Sequence, residues 1–502
     1  MSPNRPSLKQ LSSGIVGLDE LLHGGYLKNR MYLVTGDPGT GKTTLCFHFL
    51  QAGLGNGERT LCIHGEESAA EIRENAAQFG IDLDDVEFLD LGPDSGFFTE
   101  DRTYDLVDAG SIENEQHTQR IHDAIEAADP ERLVLDPITQ LRYIEPSDYH
   151  YRKRLLSLIR YLKEREITVL GTATDDAASP TISEVRSISD GVIRLNRSDQ
   201  GRRIEVEKNR GVGQITGDHG LEIRPDGVEV FARLPSTPES DGTFESRPVG
   251  TGISELDGMI GGGFERGTVT FLSGPPGIGK TTIGTLFLTE AAKKGEPATI
   301  YLLEERAAVY RHRCRSIGLP IDRLESEGTL RIRRIEPMEL SAEEFAHEVR
   351  TDVLDRDVAL VMIDGFSGYT SSLQGSIADL TDDLHTLSRH LDALGVAVFV
   401  TDTIHQITGI SLATSRSVSP IADNILFLTY VELEGSLSRV LGVLKKRTGG
   451  FEMSLREFEI AADGVRVGEP LGHLHGLLGG SPRPVDEEVG RSADGSGGAH
   501  DT

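Results

Sequence analysis

Short apolar runs, each bounded by glycine, proline or acidic residues, recur along the whole chain. The clearest are Met31–Thr35, Thr60–His64, Leu133-Val134-Leu135 ending on Asp136, and Ile167–Thr172. A second set follows in the same order: Val269–Ser273, Thr299–Leu303, Leu360-Val361-Met362-Ile363 ending on Asp364, and Val396–Thr401. Runs this short, with little polar alternation, predict strands buried on both faces, and the longer stretches between them predict helices. That alternation predicts a parallel sheet covered on each side, an α/β class. Towards the end of each half the pattern changes. Gly191–Leu195 and Asn424–Tyr430 read as extended, and Arg203-Ile204-Glu205-Val206-Glu207 alternates strictly, which predicts added antiparallel strands.

The two sets are copies. With Lys42 aligned on Lys280, an offset of 238 residues, Gly14 falls on Gly252, Asp19 on Asp257 and Glu66-Glu67 on Glu304-Glu305. Ser13–Glu67 and Thr251–Glu305 share 19 identities over 55 ungapped positions, far above chance. A period this long means domain duplication, not a solenoid. Residues 235–248 (PSTPESDGTFESRP) are rich in Pro, Ser, Gly and acid without periodicity and read as a linker. The expected organisation is a first domain over 1–234, the linker, a second domain over 249–470 and a tail over 471–502, largely disordered.

Composition adds three constraints. A chain of 502 residues exceeds what one core sustains, which agrees with two domains. The net charge of −29, with arginine outnumbering lysine, leaves no broad basic surface, so duplex nucleic acid is not an expected partner. Acid-rich, lysine-poor surfaces suit a cytoplasm at high salt. No apolar run approaches membrane-spanning length, and MSPNRPSLKQ lacks the core of a signal peptide, so a cytoplasmic location is expected. Cys46, Cys62 and Cys314 lie in apolar stretches without CxxC spacing and read as reduced core thiols.

The chemistry lies at the ends of the strands. Gly36-Asp37-Pro38-Gly39-Thr40-Gly41-Lys42-Thr43 and Gly274-Pro275-Pro276-Gly277-Ile278-Gly279-Lys280-Thr281 both fit GxxxxGK[ST], each after an apolar strand and before a helix. In that context the backbone N–H groups cradle phosphates, with Gly36, Gly39, Gly41 and Gly274, Gly277, Gly279 permitting the curl. Lys42 and Lys280 would reach the β- and γ-phosphates of ATP, and Thr43 and Thr281 would hold Mg²⁺. Thr44 and Thr282 complete the two motifs. Asp136 and Asp364, each closing a strand, are the expected further Mg²⁺ partners. Glu66, Glu67, Glu304 and Glu305 follow the second strand of each half, where ligands of parallel sheets sit. A carboxylate there can orient or deprotonate a water for attack on the γ-phosphate.

These residues resemble the KaiC family, double-domain ATPases of the RecA superfamily. The doubled P-loops, the glutamate pairs, the opening Gly-Ile-x-x-Leu-Asp pattern, Asp423–Leu428, Tyr430–Glu432, Arg456-Glu457-Phe458 and Leu477–Pro482 carry the similarity, from about Leu11 to Pro482. The resemblance implies two tandem RecA-like domains and a homohexameric ring with ATP between subunits. It implies that Glu66 and Glu304 are the main bases. It also implies that Lys208 and Arg210, and Lys445 and Arg447, touch the γ-phosphate from the adjacent subunit; from sequence alone these cations have no obvious use within one chain. Autophosphorylation in the second domain would fall on Ser419, with Thr414 a second acceptor, but Pro420 stands where the family has its threonine. A signalling ATPase read by a protein partner is the leading expectation. A RadA-like DNA-dependent ATPase and a non-hydrolysing ATP-dependent switch are the alternatives.

Overall fold

The computed structural model describes residues 9–92, 109–143, 148–175, 180–198, 201–234, 247–373, 377–404, 421–433, 435–477 and 483–484. The chain divides into two compact units, Met1–Arg233 and Leu234–Thr502. Each carries one nine-stranded sheet.

In the first unit the strands are β1 (Met31–Gly36), β2 (Thr60–His64), β3 (Glu87–Asp90), β4 (Arg132–Asp136), β5 (Thr168–Thr174), β6 (Gly191–Ser198), β7 (Gly201–Asn209), β8 (His219–Arg224) and β9 (Gly227–Phe231). The second unit repeats them as β10 (Val269–Gly274), β11 (Ala298–Leu302), β12 (Leu330–Arg334), β13 (Leu360–Asp364), β14 (Ala397–Thr403), β15 (Asn424–Leu433), β16 (Ser436–Lys446), β17 (Arg456–Ala461) and β18 (Gly464–Pro470). Across the sheets the order is β9-β8-β7-β6-β1-β5-β4-β2-β3 and β18-β17-β16-β15-β10-β14-β13-β11-β12, the same topology twice. The six strands from β6 to β3 are parallel, and β7 to β9 join antiparallel, with the same division in the second unit. Both the parallel core and the antiparallel addition were legible in the hydrophobic pattern.

The continuous apolar runs follow from burial on both faces. Along β1, Met31 and Leu33 join a cluster with Ile121 and Ile125 of helix Ala109–Ala128 and Leu155 and Ile159 of helix Asp148–Glu164. Tyr32 and Val34 point the other way, against Leu45, Phe49 and Leu50 of helix Lys42–Gly55. In the second unit Phe271 and Leu272 divide in the same manner between two clusters. Helix Ile377–Ala393 buries Leu380, Leu384, Leu387 and Leu391, one stripe at helical spacing. Beyond the last long strand, Leu471 and Leu477 are buried against Val431 and Val440, which gives this segment of the tail a docked start.

Among the described residues, no helix is long and apolar enough to cross a membrane. Cys46, Cys62 and Cys314 are free and buried.

The candidate nucleotide sites

Both phosphate loops leave the carboxyl end of the central strand and enter a helix, Lys42–Gly55 and Lys280–Lys293. The residue before each helix is a glycine in the left-handed region, Gly41 at φ 104° and Gly279 at φ 117°. A Cβ there would stand 2.5 Å from Ile223 Cδ1 or 2.7 Å from Ile460 Cδ1, so glycine is needed both for conformation and for space. Neither helix has a side-chain cap, which leaves its first N–H groups for a ligand. Lys42 Nζ donates to the carbonyls of Gly36 and Asp37 at 2.9 and 3.0 Å, and Lys280 Nζ to those of Gly274 and Pro275 at the same distances. Burial pushes both ammonium groups below the ordinary lysine pKa, and nearby carboxylates partly offset this.

In the second unit the Asp364 carboxylate Oδ1 accepts from Thr281 Oγ1 and from Thr401 Oγ1, each at 2.9 Å. Asp364 is buried, and this pushes its carboxyl up to about 6 against the two hydroxyl donors. In the first unit Thr172 Oγ1 donates to Asp136 Oδ1. Among the described residues Thr43 makes no matching bond to Asp136. The hydroxyl partners Thr172 and Thr401 were missed in the sequence as site residues. Their signal was a threonine near the end of the strand beside each Asp-terminated strand.

The paired glutamates separate in space. The first of each pair, Glu66 or Glu304, acts electrostatically on the loop lysine, Lys42 or Lys280, and raises its pKa. Glu304 Oε1 also accepts the Gly368 N–H at 2.9 Å. The second of each pair is held by the residue eight positions on. Glu67 Oε2 accepts from Asn75 Nδ2 at 2.9 Å, and Glu305 Oε2 accepts from Arg313 Nη2 at 2.7 Å. Arg313 Nη1 further donates to Thr282 Oγ1 at 3.0 Å. Nothing in the motif pattern points to Asn75 or Arg313 beyond their shared offset of 238.

The Lys-x-Arg cations do have partners within one chain, contrary to the sequence expectation. Lys208 Nζ donates to the carbonyls of Arg186 and Ser187 at 2.9 and 3.1 Å, and Arg210 Nη2 to Ser187 O at 3.2 Å. They close the carboxyl end of helix Pro180–Ile188, where cations favour the macrodipole. Lys445 Nζ donates to Ala422 O at 2.6 Å, and Arg447 pairs with Asp423 at 2.7 Å while 63% of its side chain stays exposed. Ser419, Thr414 and Pro420 lie outside the described residues.

Comparison with known proteins settles the family. The family described as "ATPase: KaiC" matches residues 11–234 and again residues 249–472. The chain belongs to the KaiC family. It is similar to the circadian clock oscillator protein KaiC of Parasynechococcus marenigrum, 28% identical over 494 residues, covering 95% of this chain and 94% of that one. The KaiC 1 protein of Synechocystis sp. is 28% identical over 502 residues (96% and 94%), and the KaiC protein of Acaryochloris marina 27% over 497 (96% and 93%). The chain is thus a KaiC-family ATPase with tandem domains.

Proposed function

We propose that both domains bind and hydrolyse Mg-ATP, at interfaces of a homohexameric ring that serves signalling. The observation that carries this reading is the second-domain cluster. Lys280 lies on its loop carbonyls, Thr281 is hydrogen-bonded to Asp364, and Glu304 acts electrostatically on the lysine. A hydroxyl and a carboxylate are hard oxygen donors of the kind Mg²⁺ takes, so Thr281 with Asp364, and Thr43 with Asp136, fit that ion. When bound, Mg²⁺ neutralises charge on the β- and γ-phosphate oxygens. The chain's own residues do the rest. Backbone N–H groups after Gly41 and Gly279 hold the phosphates, and Lys42 and Lys280 leave their carbonyls for the β/γ oxygens. Glu66 and Glu304 orient the attacking water and take up its proton as the γ-phosphoryl group is transferred.

The ring reading rests on the family resemblance, and Arg210 and Arg447 are exposed enough to change partners. In that reading Lys208 and Arg210, and Lys445 and Arg447, approach the ATP of the next subunit. Phosphoryl transfer to Ser419, or to Thr414, is the further activity of the second domain. The net charge of −29 supports a protein partner over DNA.

Nucleotide stoichiometry tests the core of this. Lys42→Ala and Lys280→Ala should each remove half of the bound ATP, and the double variant all of it; full binding by the double variant refutes the sites. Light scattering should give about six chains with ATP, and a monomer at saturating ATP refutes the ring. Mass spectrometry after incubation with Mg-ATP should find phosphate on Ser419 or Thr414; an unmodified chain that still releases phosphate leaves an ATPase alone.

A further inference from the structure

Beside its phosphate loop the second site carries an arginine that the first site lacks. In the second domain, helix Ala307–Ser316 places Arg313 with its Nη2 on Glu305 Oε2 at 2.7 Å and its Nε towards Glu305 Oε1 at 3.5 Å. The other edge of the guanidinium, Nη1, donates to Thr282 Oγ1 at 3.0 Å. Its plane lies over Tyr310, 5.4 Å from the ring centroid. Glu305 on one edge and Tyr310 beneath leave Arg313 little freedom to turn away from Thr282. Thr282 is the third residue of the loop helix, in the first turn whose N–H groups have no partner within the helix. In a P-loop the lysine serves the β/γ end, while the backbone at the start of the helix serves the α/β end. Arg313 therefore stands at the α-phosphate end of the site. Its charge also reaches Asp364, whose carboxyl it draws downward.

At the equivalent place the first domain has Asn75, whose amide donates to Glu67 Oε2 at 2.9 Å. The tether is kept, but the charge is absent. We propose that Arg313 is a phosphate-binding residue of the second site only, that it contacts the α-phosphate of bound nucleotide, and that it makes this site hold ADP more tightly than the first. Glu305 then acts as the positioning residue for Arg313. A guanidinium can share donors between a carboxylate and a phosphate oxygen without moving its stem, because its five N–H groups fan out in one plane. The inference rests on the reading of both P-loops as nucleotide sites.

Calorimetric titration of ADP in EDTA tests it without Mg²⁺. The full chain carries Lys42→Ala, so that only the second site binds. Adding Lys280→Ala must abolish that binding; if it does not, the site reading fails, whatever Arg313 does. Adding Arg313→Asn instead should weaken ADP about tenfold, as expected for one lost charge-assisted hydrogen bond. Arg313→Lys should recover part of that loss, since it restores the charge without the fork. In a Lys280→Ala chain, Asn75→Arg should tighten ADP at the first site. Unchanged ADP affinity in Arg313→Asn overturns the proposal. So does a loss that Arg313→Lys fails to reduce and that a lowered melting temperature of the nucleotide-free chain accompanies, which would make Arg313 a purely structural tie.

Discussion

Three buried polar side chains of the first domain stand where the second domain has leucine. Arg132 corresponds to Leu360, His64 to Leu302 and His48 to Leu286, and all six are buried. The sheet order around them is identical. The fold thus tolerates either solution at these points, but the polar one must bring its own partners. Arg132 has them at two of its three nitrogens: Nε pairs with Glu58 at 2.6 Å, Nη1 donates to Ser12 O and Phe49 O at 2.8 Å, and the guanidinium lies 4.8 Å from the Phe49 ring centroid, while Nη2 has no hydrogen-bond partner among the described residues. His48 Nε2 accepts the Val228 N–H at 2.8 Å, which joins the loop helix to β9. Among the described residues, His64 has neither ring nitrogen hydrogen-bonded, with Asp90 at 3.9 Å. Burial alone does not tell a structural polar group from a costly one; the partner does.

The largest expected effect is at Arg132. Arg132→Ala leaves Glu58 half-stranded and opens a cavity, and should cost the first domain about 3–5 kcal/mol. Arg132→Leu, which copies the second domain's choice at that position, combined with Glu58→Gln should recover most of it. Denaturant unfolding followed by amide exchange in first-domain strands measures both. Equal losses in the single and double variants would mean that the ion pair itself, not its unpaired remainder, holds this strand.

Next in size is the division within the glutamate pairs. Glu66→Gln and Glu304→Gln should each lower phosphate release at their own site by at least about a hundredfold. Glu67→Gln and Glu305→Gln should lower it by less than about tenfold. Each is read in a chain whose other loop lysine is alanine. A hundredfold loss in the second group would make the tethered glutamate the base and remove the geometric distinction drawn between them.

His64→Leu should stabilise the first domain by about 1–2 kcal/mol, since it replaces an unsatisfied buried polar ring with the residue the second domain uses. A loss of stability would show that His64 has a partner in solution.

The smallest effect concerns acid. Burial holds the His48 imidazole below its ordinary pKa of 6.5. The unfolded chain then takes up a proton more readily than the fold, so stability from this group is present above about 6.5 and is lost as pH falls below it. His48→Gln keeps an acceptor for Val228 and should flatten the first domain's stability profile between pH 7 and 5. An unchanged pH profile would assign the acid response to other groups.

What could be read from residues in order was local. Each phosphate loop is eight contiguous residues between a strand and a helix, so its geometry needs nothing distant. The apolar runs specified buried parallel strands because burial on both faces leaves no room for alternation. The repeat offset then tied the two halves together and, with the motifs, identified the family. The fold decided what depends on residues far apart in the chain. Thr281 meets Asp364 over 83 positions and Thr401 meets it over 37. Which glutamate of a pair is tethered by the residue eight positions on depends on how the chain turns after β2 or β11, and adjacent positions look alike in sequence. Likewise the partners of Lys208 and Lys445 are backbone carbonyls, which every residue carries and no motif marks. The charge of Arg313 was visible from the start, but its place beside Thr282 comes from packing one helix against another.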